Sequence, residues 1–334
     1  MTETRAHETP TAAAESALAA FPAEADWERA PSLVDGATHL ELRAADCNLR
    51  YWLRAVPQGT LRGQELGHAD GVRPLAVTSE PGPLNDALTQ ELAFRSIAEE
   101  KATRAISHLV ALAPDVDSME FYATQLLDEA RHSMVFRTHL TSLGVAEHDL
   151  GSTVERLAGS DRDAVLAPLE ELGLRVLRDE GDFIGGVVVL TILVEGVLAP
   201  AAELSERKWR IFDPAAADIE RGAAIDEIRH LTVGSSIARE HLLTHPEDKP
   251  RLLELIASGR ELWGSLPATD MIVRRESLFQ EGLRKHAELV GDYEIWPGRR
   301  LVDTEVEERM TTALGWADAM QRRRLEYMGL ADAL

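Results

Sequence analysis

The phrase Asp128-Glu129-Ala130-Arg131-His132 recurs 98 positions later (226 − 128) as Asp226-Glu227-Ile228-Arg229-His230, so both copies read Asp-Glu-x-Arg-His. On a helix, residues three apart share a face. That sets Glu129 beside His132 and Glu227 beside His230. A carboxylate next to an imidazole can hold one metal ion, and two such pairs facing each other can hold two. A bundle built this way draws one more Glu from each of two other helices. Glu99 precedes Glu129 by 30 residues and Glu195 precedes Glu227 by 32, the length of two half-helices and a turn. The chain reads as a diverged helix-pair repeat forming an all-α four-helix bundle. Its six candidate metal ligands are Glu99, Glu129, His132, Glu195, Glu227 and His230.

A lone Glu-x-x-His is ordinarily a solvated helix face. Here the pair is doubled, and each copy follows a Glu set in an apolar run. Glu195 is the sharpest case, because it lies within Ile184 to Pro200 among Val187, Val188, Val189, Leu190, Ile192, Leu193, Val194, Val197 and Leu198. An unpaired charge buried there would be very costly, and a metal ion or an Arg partner is the remedy. Asp128 and Asp226 are placed to accept the free ring N–H of a ligand histidine on the facing helix, which fixes its tautomer. Arg131 and Arg229 are placed to neutralise those aspartates, or to form plain salt bridges. Tyr122, Phe136, Thr191 and Ala223 are the candidate pocket residues.

Length and composition bound the rest. A chain of 334 residues holds one large core or two modest domains. A net charge of −22 argues against nucleic acid or an anionic membrane as partner. The apolar Glu195 run carries its Glu, so it reads as a core helix and not a membrane span. The polar start, Met1 to Pro10, has no signal-peptide core. The single cysteine, Cys47, rules out an internal disulfide and fits a cytoplasmic location.

Residues 1–25 read as a mobile segment and 26–83 as an N-terminal extension. There, Thr38 to Arg43 alternates like a strand and Asp46 with Asn48 offers a hairpin turn; a helix joining Leu49, Trp52, Leu53 and Val56 fits almost as well. Residues 67–83 are rich in Gly and Pro and read as loop. The bundle spans 84–243. Its first helix, 84–112, carries Leu88, Leu92, Glu99, Ala102, Ile106, Leu109 and Val110 on one face, which favours Glu99 over the adjacent Glu100. The second runs over 117–143 and the third over 163–205, with a break near Gly181, Gly185 and Gly186. The fourth starts at Asp213-Pro214, with Asp213 as its cap. Residues 244–334 form three more helices, read as packing or oligomer surface without chemistry of their own. The nine histidines outside the motif read as surface or structural.

Four carboxylates and two imidazoles are a hard, oxygen-rich set suited to iron or manganese. Two Fe(II) ions with open positions can give electrons to O2, and apolar walls would exclude water from the reactive intermediates.

The set Glu99, Glu129-x-x-His132, Glu195 and Glu227-x-x-His230 resembles the ferritin-like di-iron carboxylate oxygenases, over about residues 84–243. The doubled Asp-Glu-x-Arg-His looks like the bacterial multicomponent monooxygenase hydroxylases. The single-chain layout and the wording Leu126-Leu127-Asp128-Glu129-Ala130-Arg131-His132 look more like the N-oxygenases of antibiotic biosynthesis. The arylamine branch of those enzymes has a third histidine ligand one turn before the last Glu-x-x-His. Here that position is Ala223, which turns the resemblance toward the valanimycin-type, azoxy-forming branch. The resemblance thus implies two Fe ions, a small nitrogen substrate and O2, an external reductant or redox partner, and a homodimer. Oxidation of a hydrazine to an azoxy group is the first expectation; an amine going to a hydroxylamine or nitro product is the second. An iron-storage or non-catalytic bundle is a third. The radical-generating ribonucleotide reductase subunits also resemble this site, but they carry Tyr where this chain has Phe136.

Overall fold

The computed structural model describes residues 22–334; of the segment 1–25, residues 1–21 lie outside the described part. Two short helices, α1 (Leu33–His39) and α2 (Leu49–Gly59), precede the bundle, and a single helical turn, Ala76–Ser79, interrupts the expected loop of 67–83. The bundle itself is α3 (Pro83–Leu112), α4 (Val116–His139), α7 (Phe183–Trp209) and α8 (Pro214–Thr244). Helices α5 (Leu150–Asp161) and α6 (Ala167–Leu174) fill the connection between its halves. Helices α9 (Lys249–Ser265), α10 (Ala268–Lys285) and α11 (Val306–Met328) come after it. Among the described residues the only strands are a hairpin of Glu294–Trp296 with Arg299–Arg300, turning through Pro297 and Gly298.

The N-terminal extension has no hairpin. The alternation from Thr38 to Arg43 straddles the end of α1 and an extended stretch that Arg324 holds by donating to the carbonyls of Thr38 and Leu40. Asn48 is not a hairpin turn but the cap of α2, its side chain accepting from the amides of Arg50 and Tyr51. Asn serves turns and helix caps by the same local hydrogen bond, so sequence pattern alone does not separate them. The helical alternative, with Leu49, Trp52, Leu53 and Val56, is the one the chain adopts.

Elsewhere, local chemistry sets the ends. Asp213 caps α8, accepting from the Ala216 amide at 3.0 Å, and its other oxygen takes a 2.7 Å bond from His139 at the end of α4. The long third helix does break, at Gly181, whose φ of +64° suits glycine. Asp182 then caps α7. Gly186 has a different use: a Cβ there would stand 2.0 Å from the Leu177 side chain, so its bareness lets α7 pack closely. Pro200 does not end α7, which runs on to Trp209. Between Val189 and Glu195 this helix widens into a π-turn. By length and composition α7 would cross a membrane, yet 78% of its most apolar window is buried inside the fold.

Candidate metal centre

Two regular helices deliver the repeated phrase. On α4, His132 turns its Nδ1 toward Glu129 Oε2 at 3.0 Å. On α8, His230 turns its Nδ1 toward Glu129 Oε1 at 3.0 Å and toward Glu227 Oε2 at 3.7 Å. Glu129 thus offers one oxygen to each histidine. Ligand atoms of Glu99, Glu129 and His132 all lie within 4.8 Å of one another, and those of Glu129, Glu227 and His230 form a second such group. Glu129 belongs to both groups, whereas Glu227 belongs to one. Glu100, the neighbour of Glu99, is exposed and bonded to Arg104. Glu195 stands outside both groups. Its Oε1 accepts from Gln125 Nε2, and its Oε2 has no partner.

The aspartates pair crosswise. His132 Nε2 lies 3.3 Å from Asp226 Oδ2, and His230 Nε2 lies 3.4 Å from Asp128 Oδ2. Arg131 also pairs with Asp226 and Arg229 with Asp128, and Arg229 reaches Asp226 Oδ1 at 3.2 Å. These side chains are buried, Arg131 least so. With each Nε2 tied to a carboxylate behind it, each Nδ1 is left facing the carboxylate cluster.

The cluster is short of positive charge. Burial and the neighbouring Glu129 charge hold the Glu99 carboxyl well above the usual range. Burial and the Glu227 charge do the same to Glu195, and burial with the Glu129 charge raises Glu227. Glu129 is the exception: burial opposes its ionisation, but His230 and His132 hold it well below the usual range. Burial also opposes protonation of His132, yet its bonds to Asp226 and Glu129 push it up to about 10. His230 is raised well above its ordinary value against the same burial, by the Glu129 charge and Asp128. These directions, carboxyls and imidazoles raised together, are those of a buried carboxylate cluster that lacks a cation's charge. Moreover Glu129 Oε1, Glu195 Oε2, Glu227 Oε2 and His230 Nδ1 are buried without a hydrogen-bond partner, although such atoms are ordinarily paired. The 3.0 Å approach of Glu129 Oε1 to His230 Nδ1 lacks hydrogen-bond geometry. Unpartnered oxygens and nitrogens converging on one buried spot fit a metal-binding donor set.

A cavity of about 240 Å³ opens onto this cluster, and Glu99, Glu129, Glu195 and Glu227 line it. Of the four residues expected in the pocket, only Ala223 is in its wall. Tyr122 lies instead in the core, edge-on to Phe121 and Phe183. Its hydroxyl has no partner, and burial and Glu195 push its pKa well up. Phe136 sits beneath the guanidinium of Arg95, 5.5 Å from its ring centre. Thr191 faces the bare Gly234 of α8, where a Cβ would come within 2.2 Å of its hydroxyl. The C-terminal helices, expected only to pack, supply much of the cavity wall through Met271, Ile272, Arg275, Met310, Ala313 and Leu314.

Three neighbours of the site were not singled out by sequence as site residues. Trp52 of α2 donates from Nε1 to Asp128 Oδ1 at 2.9 Å. Gln125 holds Glu195. Arg95, one turn before Glu99, lines the cavity with its Nε 3.1 Å from Glu220. Gln125 and Arg95 were within reach of pattern reading, since each lies four residues before a candidate ligand, Glu129 and Glu99, on the same helix face. Nothing local to Trp52 announces its partner 76 residues away.

No protein-family model matches the chain, and no curated protein matches it. Solved structures do. One is a mutant R2-like ligand-binding oxidase with an aerobically reconstituted Fe/Fe cofactor, 17% identical, covering 87% of this chain and 91% of its own, with a TM-score of 0.52. Another is a mutant R2-like ligand-binding oxidase with an anaerobically reconstituted Mn/Fe cofactor, with the same identity and coverage and a TM-score of 0.51. The chain therefore has the all-α, ferritin-like fold of these oxidases.

Proposed function

We propose that this chain is an O2-dependent non-haem di-iron oxygenase, and that its substrate is a small nitrogen compound whose N–N unit it oxidises to an azoxy group. The observation that carries the metal centre is the pair of three-residue groups that share Glu129, each with a buried histidine whose Nδ1 faces inward. One ion would be held by Glu99, Glu129 and His132. The other would be held by Glu129, Glu227 and His230, with the free Glu195 Oε2 beside them. Oxygen-rich sets of this kind suit iron, with manganese as the alternative. That the fold's solved relatives are described with Fe/Fe and Mn/Fe cofactors supports the same choice. Such a centre supplies electrons to O2.

The protein's own part is positional. Asp128 and Asp226 hold the imidazoles by their Nε2 atoms, so that Nδ1 is the donor. Arg229, buried between the two aspartates, pairs with both and ties the two halves of the bundle together. The cavity brings a substrate to the carboxylates within walls largely of Ala, Leu, Val and Met, which keep bulk water away. Ala223, one turn before Glu227, cannot coordinate. It leaves room beside that ion for a substrate nitrogen to be held through more than one oxidation. The azoxy assignment rests on this alanine and on the resemblance to the valanimycin-type branch.

The test is anaerobic Fe(II) loading of the full chain, then O2 and a panel of hydrazines, hydroxylamines and amines, with products read by mass spectrometry. Azoxy products from a hydrazine are expected. Nitro or hydroxylamine products from amines alone would move the chain to the other branch, and no substrate-dependent O2 uptake across the panel would contradict the reading.

A further inference from the structure

A second cavity, of about 70 Å³, adjoins the one at the carboxylates, and the two share Ala98, Ala102, Val194 and Leu198 in their walls. The second is bounded by α3, α6 and α7. Its walls are apolar except where Lys101 and Glu170 form a partly buried ion pair. Gly173 of α6 is buried in this wall, yet a Cβ built on it would meet no atom within 4 Å. The buried glycines of neighbouring helices behave otherwise: a Cβ at Gly186 would stand 2.0 Å from Leu177, and one at Gly259 would stand 2.1 Å from Leu193. Those are bare so that helices can touch. Gly173 is bare beside empty space.

Both features weaken the fold. A glycine inside a helix is a poor helix former, and unfilled apolar volume forfeits packing. A methyl at 173 would remedy both without a clash. The void therefore calls for an occupant rather than a packing explanation. Apolar cavities take up small apolar guests such as xenon. Dioxygen is such a guest: it has no charge and negligible dipole, and it prefers hydrocarbon to water. Only small side chains, Ala98 and Ala102, stand on the α3 part of the shared wall.

We propose that the chamber beside Gly173 is a dioxygen-binding antechamber that supplies the neighbouring metal centre. This deepens the oxygenase reading and rests on it. The competing occupant is the apolar tail of the nitrogen substrate, and the experiment separates the two.

The first arm needs no metal and no turnover. Crystals of the metal-free full chain are pressurised with xenon, for the native protein, Gly173→Ala and Gly173→Leu. Xenon is expected between Gly173 and Ala102 in the native chain and absent in Gly173→Leu, whose melting temperature is no lower than native. An empty native chamber overturns the proposal. The second arm loads iron and measures both Michaelis constants. Gly173→Leu is expected to raise KM for O2 at least several-fold and to leave KM for the nitrogen substrate unchanged, with Gly173→Ala between it and native. An unchanged KM for O2 overturns the proposal, as does a rise confined to KM for the nitrogen substrate, which would assign the chamber to the tail. If the native loaded chain takes up no O2 with any substrate, the oxygenase reading falls and this assignment with it. Native uptake with an indifferent Gly173→Leu sinks this inference alone.

Discussion

The two copies of Asp-Glu-x-Arg-His are alike in sequence and unlike in their surroundings. Asp226, in the second copy, accepts from Arg131, Arg229 and His132 and is sealed within the bundle. Asp128, in the first, accepts from Arg229 and His230 but also from Trp52, on a helix outside the bundle. The preceding glutamates differ too. Glu99 rides a regular helix and joins a three-residue group, whereas Glu195 ends a π-turn and stays outside both. The repeat therefore fixes the inner ring of donors, and the divergence lies in what holds that ring. The half nearer Trp52 is tied to the N-terminal extension. The half bearing Glu195 keeps one carboxylate oxygen, Oε2, uncommitted.

The largest effect expected from breaking this arrangement is on folding. Asp226→Ala and Asp128→Ala each strip a buried arginine of a carboxylate, and breaking a buried pair costs about 3–5 kcal/mol. Asp226→Ala is the worse of the two, since it leaves both Arg131 and Arg229 short of a partner. Urea denaturation of the metal-free variants reads this directly; equal losses would mean that the two halves are held alike.

Next comes pH. The folded pKa of His132 is raised to about 10 from 6.5, and that of His230 is raised well above it. Groups raised in this way bind more protons folded than unfolded, so their stabilisation is fully present below pH 6.5 and is lost as pH rises through the folded values. The metal-free chain should therefore melt at falling temperature from pH 6.5 toward 10. The loaded chain, in which the ions have displaced those protons, should show a much flatter profile. Differential scanning calorimetry of both forms across that range is the check; parallel slopes would mean that the ions do not take the protons' place.

Smaller still is Trp52→Phe, which removes a donor from Asp128 and leaves Asp226 untouched. Loss of a direct partner of a ligand histidine costs about 10–100-fold in affinity or activity. Trp52 is one bond further out, so only a several-fold loss is expected, confined to the ion on the His230 side, and competitive metal titration measures it. The smallest is Glu100→Gln. It alters an exposed pair with Arg104 and should change stability by no more than about 0.5 kcal/mol, while Glu99→Gln weakens one ion. Metal loss in Glu100→Gln with none in Glu99→Gln would reverse that choice.

What the sequence disclosed depends on which interactions are local. The 3.6-residue period located α3, α4 and α8, and the spacing within Asp-Glu-x-Arg-His was enough to give the crosswise pairing of aspartate and histidine. The Asp213 cap and the break near Gly181 were legible because caps and left-handed turns are written in one or two residues. The π-turn at Val189–Glu195 was not: an unbroken apolar run looks the same in either helix type, so the sequence put Glu195 beside Glu99 as a candidate ligand, whereas its carboxylate lies outside the two three-residue groups. Tyr122 and Thr191 point into helix contacts and not into the cavity, a matter of rotation that an all-apolar stripe leaves undetermined. The cavity's outer wall comes from α10 and α11, and its lining residues look like ordinary core positions until the helices are placed. In the extension, Thr38 to Arg43 alternates only because a helix end and an extended segment happen to abut.

The central claim is that two ions share Glu129. Anaerobic equilibrium dialysis of the metal-free full chain against Fe(II), with iron counted per chain, tests it most directly across native protein, Glu195→Ala, Glu227→Ala and Glu129→Ala. The account predicts two irons in the native chain, retention of the Glu99, Glu129 and His132 ion in both Glu195→Ala and Glu227→Ala, and collapse of both sites in Glu129→Ala. Two irons retained in a folded Glu129→Ala chain would contradict it.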